Sequence, residues 1–136
     1  LMQKKLAPWH VAYIDNRLAR YRAILSHLES LPTDLFTTAC LLWDQALFFE
    51  CHEWLESFWI QAEGNQKKLI QALIRAAGTY VLLDAGRESG AKKAAEKSLA
   101  FLTANPAIIP AIFKPDQLIP ALKSLESPPP KFMSCQ

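Results

Sequence analysis

The sequence predicts an all-α fold: a single-domain antiparallel helical bundle of about five helices, followed by a proline-rich C-terminal segment. Apolar residues recur at three- and four-residue steps through most of the chain, which is the spacing of one helix face. The sequence has no run of alternating β-branched residues and no Asn-Gly or Asp-Gly hairpin signal. Its 136 residues, 51% hydrophobic and 21% charged, fit one domain, residues 1–136, with its own core.

A proline and a capping residue define the first two helices. The first helix is expected to open after Pro8 and to run to about Glu29. Thr33 or Asp34 can cap the second helix, because a short side-chain oxygen accepts a hydrogen bond from the free amides of a first turn. This second helix is expected to reach about Ala46.

Glycine-containing breaks separate the next three helices. An aromatic-rich third helix is expected to end near Ala62, just before Gly64. The fourth helix, at about 66–85, is apolar on nearly every side, as central helices usually are. A second glycine-containing turn precedes a fifth helix at about 91–104. Because the connections are short, neighbouring helices are expected to pack as antiparallel hairpins.

Prolines dominate the C-terminal part of the chain. Four of them between residues 106 and 120 allow only short helical pieces, one of which is expected at about 116–125. Three consecutive prolines follow, so residues from about 127 to 136 are expected to form an extended tail.

The most informative segment is residues 48–59, which places one His and three Glu among five aromatic rings. On a helical wheel of about 100° per residue, His52 and Glu56 fall within an apolar arc. Glu53 lies at the border of this arc and Glu50 on the opposite side. We therefore expect His52 and Glu56 to be buried. The aromatic residues expected to line them are Phe48, Phe49 and Trp59.

The fourth helix offers polar partners for this pair. Gln71 and Arg75 lie four residues apart and therefore share a helix face. A buried Arg needs a carboxylate partner, because an isolated charge is very costly in a protein interior. We therefore predict a cross-helix polar network, whose members are His52, Glu53, Glu56, Gln71 and Arg75.

The motifs that would indicate specific chemistry are incomplete. His52-Glu53-x-x-Glu56 is similar to the start of the zinc-protease motif His-Glu-x-x-His, with Glu in place of the second His. Glu can ligate zinc, so His52 and Glu56 form a candidate metal pair, although we expect no cofactor. The three cysteines, Cys40, Cys51 and Cys135, match neither a zinc nor a redox spacing, and free thiols indicate a reducing compartment.

Charge and hydropathy exclude several classes of partner. The net charge of +2 is too small for the clustered basic face of a nucleic-acid-binding protein. No apolar run approaches the roughly 18 residues of a membrane span, and residues 1–5 lack a signal-peptide pattern. We therefore expect a cytoplasmic protein that binds neither nucleic acid nor membrane. An unknown protein partner stays open, and the sequence does not define an oligomeric state.

The segment from Trp43 to Trp59 resembles the family called domain of unknown function 309. The family pattern reads Phe-Asn-x-Gly-x-Phe-Phe-Glu-Ala-His-Glu-x-Leu-Glu-x-x-Trp, followed in the next helix by Leu-Gln-Gly-Leu-Ile-Gln. The second part here is Ile-Gln-Ala-Leu-Ile-Arg, residues 70–75, and the resemblance covers about residues 41–102. It implies an all-α fold and no established activity. The polar positions of the pattern fall on Glu50, His52, Glu53, Glu56 and Gln71.

The departures from the family pattern are informative as well. Ala46 and Ala72 each replace a Gly, and Arg75 stands where the family often has Gln. The Arg makes a salt bridge more plausible at this position than a role that needs a neutral amide.

Two functions of different classes fit these observations. We favour a non-catalytic structural or protein-binding module, in which a buried His/Glu/Arg network fixes the packing or a groove binds a partner helix. The alternative is an enzyme or a small-ligand or metal-binding protein that uses His52 with Glu53 or Glu56. A cavity beside His52 would favour the alternative, whereas rings closing over a fully buried His52 would favour the first.

Overall fold

The computed structural model describes residues 35–133. Internal contacts divide the chain into two units, residues 1–33 and 34–136, and all described residues belong to the second. The first predicted helix lies outside the described residues, and so do His10, His27 and Cys135. Residues 35–133 contain α-helices and short 3₁₀ helices and no strand, which confirms the all-α prediction. The α-helices are α1 (Leu35–Asp44), α2 (Phe48–Trp59), α3 (Gly64–Asp84), α4 (Glu88–Ala104) and α5 (Pro115–Ser124); the 3₁₀ helices are Pro106–Ile108 and Ala111–Phe113.

The long helix α3 packs against both α2 and α4, as its nearly continuous apolar surface predicts. At Ala72 and Ser98 the contact with α4 is made by short side chains, which let two helices approach closely. Ser98 donates a hydrogen bond of 2.7 Å to the carbonyl oxygen of Ala72, so the two backbones lie close together at this point. The small buried residues of the two helices are Ala72, Ala76, Ala77 and Thr79 in α3 and Ala91, Ala95 and Ser98 in α4. None of the helices in residues 35–133 has the length and apolar character needed to cross a bilayer.

Trp43, near the end of α1, lies at the centre of an aromatic cluster. Its ring centroid is 5.3 Å from that of Phe48 in α2 and 5.4 Å from that of Tyr80 in α3. It is 4.8 Å from the ring of Phe132, which follows α5 in the chain. The indole N–H of Trp43 donates a 3.0 Å hydrogen bond to the carbonyl oxygen of Pro130. A single side chain therefore contacts α2, α3 and the C-terminal segment.

The C-terminal segment, residues 125–133, follows α5 and is non-helical, as its prolines predict. It nevertheless packs against the helical bundle. Both carboxylate oxygens of Asp44 accept backbone hydrogen bonds of 2.7 Å, one from the N–H of Phe132 and the other from that of Met133. The Phe132 ring is 4% exposed and also packs edge-on against Phe113 at 5.3 Å. Asp44 thus fastens residues that are distant in sequence onto the end of α1.

Helix α1 ends in a Schellman motif with an unusual residue. The N–H of Leu47 bonds to the carbonyl of Leu42 at 2.9 Å, and the N–H of Ala46 bonds to that of Trp43, also at 2.9 Å. This geometry puts Ala46 in the left-handed region, with φ of 61°. Glycine adopts this region without strain, whereas a Cβ costs roughly 1–2 kcal/mol there. This strain gives a physical reason for the glycine that the family pattern has at the position of Ala46.

We predict that Ala46→Gly raises the free energy of unfolding by about 0.5–1 kcal/mol, because relief of strain exceeds the extra flexibility of glycine in the unfolded chain. The melting temperature should rise by roughly 2–4 °C in calorimetry or thermal circular dichroism. Gly86 provides a matched control, since it holds the same position after α3, with φ of 76° and open space where a Cβ would lie. Gly86→Ala should lower the melting temperature; a fall with Ala46→Gly would contradict the argument.

A second destabilising feature is the hydroxyl of Tyr80, which is buried and has no hydrogen-bond partner within residues 35–133. Burial, together with the negative charge of Glu126, raises the pKa of Tyr80 to about 12. An unpaired buried hydroxyl destabilises a fold by roughly 1–3 kcal/mol. The Tyr80 ring therefore stabilises the core, while its hydroxyl opposes this.

We predict that Tyr80→Phe raises the free energy of unfolding at neutral pH by about 1 kcal/mol, because the ring contacts stay and the unpaired hydroxyl is removed. The unfolded phenol loses its proton near pH 10 and the folded one near 12, so the wild type should lose stability as the pH rises through this window. Tyr80→Phe should lose less stability there. Urea unfolding between pH 7 and 11.5 measures both effects, and Tyr80→Leu, which removes the ring, should be destabilised throughout.

Candidate functional site

The buried face of α2 differs from the one that the helical wheel predicts. The buried residues are Phe48, Cys51 and Leu55, so the centre of the buried face lies about 70° from His52. Cys51 donates a hydrogen bond from its thiol to the carbonyl oxygen of Ala39, with a sulfur–oxygen distance of 3.4 Å. Burial also raises the pKa of the Cys51 thiol, so this thiol stays protonated and serves packing.

The rotation of this face moves the predicted polar residues outward. The His52 side chain is 28% exposed and that of Glu53 is 55% exposed, and Glu56 also lies on the surface. The prediction that Glu56 is buried is wrong, and His52 is only partly covered. Glu50, which the wheel places in solvent, is instead half-buried in the first turn of α2, where the helix dipole favours a negative charge.

His52, Glu53 and Glu56 nevertheless form a group. One ligand atom from each side chain lies within 4.8 Å of those of the other two. The Nδ1 atom of His52 is 3.6 Å from Oε2 of Glu53, which is beyond hydrogen-bond distance. This Nδ1 is shielded from solvent and has no hydrogen-bond partner within the described part of the chain. Three potential metal-ligating side chains therefore converge beside an unsatisfied imidazole nitrogen.

The rings expected around His52 have three different environments. Phe49 stacks on the imidazole with centroids 6.0 Å apart and planes inclined by 20°, and it remains 50% exposed. Phe48 instead packs in the core on Tyr80, at 5.3 Å. The Trp59 ring is covered by the ammonium group of Lys67 at 4.4 Å from its centroid. Phe49 is thus the ring that contacts the imidazole.

The other two members of the predicted network lie elsewhere. Gln71 and Arg75 line a cleft between α3 and α4, together with Lys68 and Lys97. No ion pair joins Arg75 to a carboxylate within residues 35–133, so the buried His/Glu/Arg network is not formed. Gln71 and Arg75 share a face of α3 with Ala72, whose carbonyl oxygen accepts a hydrogen bond from Ser98 of α4, so this face is turned toward α4.

Sequence reasoning missed two polar features. Asp44 lies in the motif, and the helical pattern gives it no role, although its carboxylate accepts hydrogen bonds from two backbone amides of the C-terminal segment. Lys68 and Lys97 lie on different helices and come together only in the folded chain. The i, i+3, i+7 spacing of Lys68, Gln71 and Arg75 is the signal that could have shown a shared polar face on α3.

Comparison with known proteins adds one finding. The model of the family described as domain of unknown function (DUF309) matches residues 36–94, which include α1, α2, α3 and the first part of α4. A search of curated proteins found no significant match, and neither did a search of solved structures. The resemblance inferred from the motif is therefore confirmed over residues 36–94 of this chain.

Proposed function

We propose that this protein is a non-catalytic binding module whose α2 surface holds one divalent transition-metal ion through His52, Glu53 and Glu56. The observation that carries the proposal is the convergence of their three ligand atoms within 4.8 Å. Helical geometry supports it, because residues 52 and 56 are four apart and residues 53 and 56 are three apart, so all three lie on one side of α2.

The distances are compatible with one ion. Zinc lies roughly 2.0–2.2 Å from imidazole nitrogen and carboxylate oxygen, so two ligands of a tetrahedral ion are roughly 3.4 Å apart. The 3.6 Å between Nδ1 of His52 and Oε2 of Glu53 is close to this value. The exposed side chain of Glu56 can rotate to complete the group, because an exposed side chain has several staggered rotamers open to it.

The ligand types support a choice of metal. One imidazole and two carboxylates suit zinc and its first-row neighbours better than calcium or magnesium, which prefer oxygen ligands alone. Three protein ligands leave at least one coordination position for water or for a group from a partner molecule. A binding role is favoured over catalysis because two clefts of the described residues, one beside α2 and one beside α3, are lined by other side chains.

A second candidate is a protein-binding face that uses no metal, centred on Phe49. Half of this ring is exposed, and it stacks on His52. An exposed aromatic beside polar groups is typical of the anchor residues of protein interfaces. The two candidates differ in whether a metal ion is needed for His52 and Glu56 to function.

We predict that the untagged protein binds one equivalent of Zn²⁺ in isothermal titration calorimetry. A Cys135→Ser background removes the thiol that lies outside the described residues, while Cys40 and Cys51 are buried. His52→Ala and Glu56→Gln should each weaken Zn²⁺ binding by at least about tenfold, because each removes one of three ligands. Affinity should fall in acid, since the imidazole must be deprotonated to bind.

The matched control for this titration is Glu96→Gln, which neutralises an exposed glutamate on α4 outside the group. It should leave Zn²⁺ binding unchanged. Equal binding by wild type and His52→Ala, or the absence of binding by wild type, would exclude the metal site and leave the Phe49 face as the better candidate.

Stability separates a functional surface from a structural network. We predict that Glu56→Ala and Arg75→Ala each change the free energy of unfolding by no more than about 0.5 kcal/mol, because both lie in partly or fully solvated positions. Leu55→Ala, one residue before Glu56 and 1% exposed, should cost about 2–5 kcal/mol. Urea unfolding measures all three. A loss of about 2 kcal/mol or more in Glu56→Ala would indicate a stabilising role for this carboxylate.

A further inference from the structure

A second polar site lies on the opposite side of α3 from α2, in the cleft between α3 and α4. Its volume is about 340 Å³, within the range of small-molecule sites. Three of its lining residues are cationic: Lys68 and Arg75 from α3 and Lys97 from α4. No carboxylate of the described residues contributes to the lining. The cleft is therefore a concave, positively charged surface within the described bundle.

These cations are not used by the fold. No salt bridge to Lys68, Arg75 or Lys97 is formed within residues 35–133, whereas Lys67, next to Lys68, covers the Trp59 ring. Like charges held around one cleft repel one another, and an anionic ligand offsets this repulsion. The three cations therefore form a site that is electrostatically complementary to an anion.

The spacing of the polar groups indicates how an anion would be held. Lys68, Gln71 and Arg75 follow one another at i, i+3 and i+7, so they extend over about 10 Å of one face of α3. Arg75 can bind a phosphate or carboxylate through two parallel hydrogen bonds, and Lys97 faces the same space from α4. The amide of Gln71 can both donate and accept a hydrogen bond.

The remaining lining is apolar. Ala72, which is 2% exposed, lies beside Ala100 and the half-buried ring of Phe101. A free inorganic anion would fill only a small part of 340 Å³ and would leave the ring without a partner. Aromatic surface beside cations matches a ligand that joins an apolar group to an anionic one.

We infer that the cleft between α3 and α4 binds a small organic phosphate, with the phosphate on Arg75 and Lys97 and the organic group against Phe101. This site is separate from the proposed metal ligands on α2, so neither depends on the other. Gln71 also lies in this ligand site. Arg75 stands where the family often has Gln, so the cation at this position distinguishes this chain from the family pattern.

The test uses phenyl phosphate as the probe, added to ¹⁵N-labelled protein and followed by heteronuclear NMR. We expect saturable shifts of the backbone amides of residues 68–75 and 97–101, and a Kd that rises with added salt. Inorganic phosphate should bind at least about tenfold more weakly, and phenol should not bind. Equal affinity for phenyl phosphate and inorganic phosphate would overturn the assignment of an organic ligand.

Variants locate the binding. Arg75→Gln and Lys97→Gln should each weaken phenyl phosphate binding by at least about tenfold. Lys92→Gln removes an exposed lysine of α4 that does not line the cleft, and His52→Ala alters the proposed metal site; both should bind as the wild type does. Unchanged binding by Arg75→Gln, equal losses in Lys92→Gln, or the absence of any shift in the wild type would overturn the inference. Circular dichroism of each variant confirms that the helices are retained.

Discussion

The packing of Trp43 is the constraint on which the described bundle depends. Its ring meets Phe48, Tyr80 and Phe132, so one side chain of α1 holds two further helices and the segment after α5 in register. A buried indole removes roughly 150–250 Å² from water, which corresponds to about 4–6 kcal/mol. The indole N–H must also be paired, and the carbonyl of Pro130 meets that need. Packing and hydrogen bonding therefore impose the same arrangement.

Much of the fold could be predicted because local signals and tertiary packing agree. Gly64 lies where α3 begins, and the prolines after residue 104 lie where α4 has ended. Helix α3 is central because nearly all its sides are apolar, which sequence shows directly. The burial of α2 was less predictable, since Phe49 and Phe58 are 50% and 39% exposed. A helical wheel counts such rings as core, and including Phe49 places the centre of the predicted apolar arc about 70° from that of the buried residues.

The site was predicted in part for a similar reason. The i, i+4 pair His52 and Glu56 is a property of one helix, so the sequence indicates their proximity. Whether Arg75 reaches that pair depends on which side of α3 faces α2, and Arg75 lies on the side that faces α4. The bond between Asp44 and the amide of Phe132 joins residues 88 positions apart, and no local pattern specifies such a partner. The sequence therefore predicts the helices better than it predicts the contacts between them.

The docked C-terminal segment has a consequence for what counts as an autonomous unit. The family match ends at residue 94, yet Phe113, Leu118 and Phe132 belong to the core. A fragment cut at the limits of the match would lack the residues that pack on the Trp43 indole. It would expose an apolar patch, and such patches promote self-association. The segment that matches the family is thus shorter than the segment needed to bury the whole hydrophobic core.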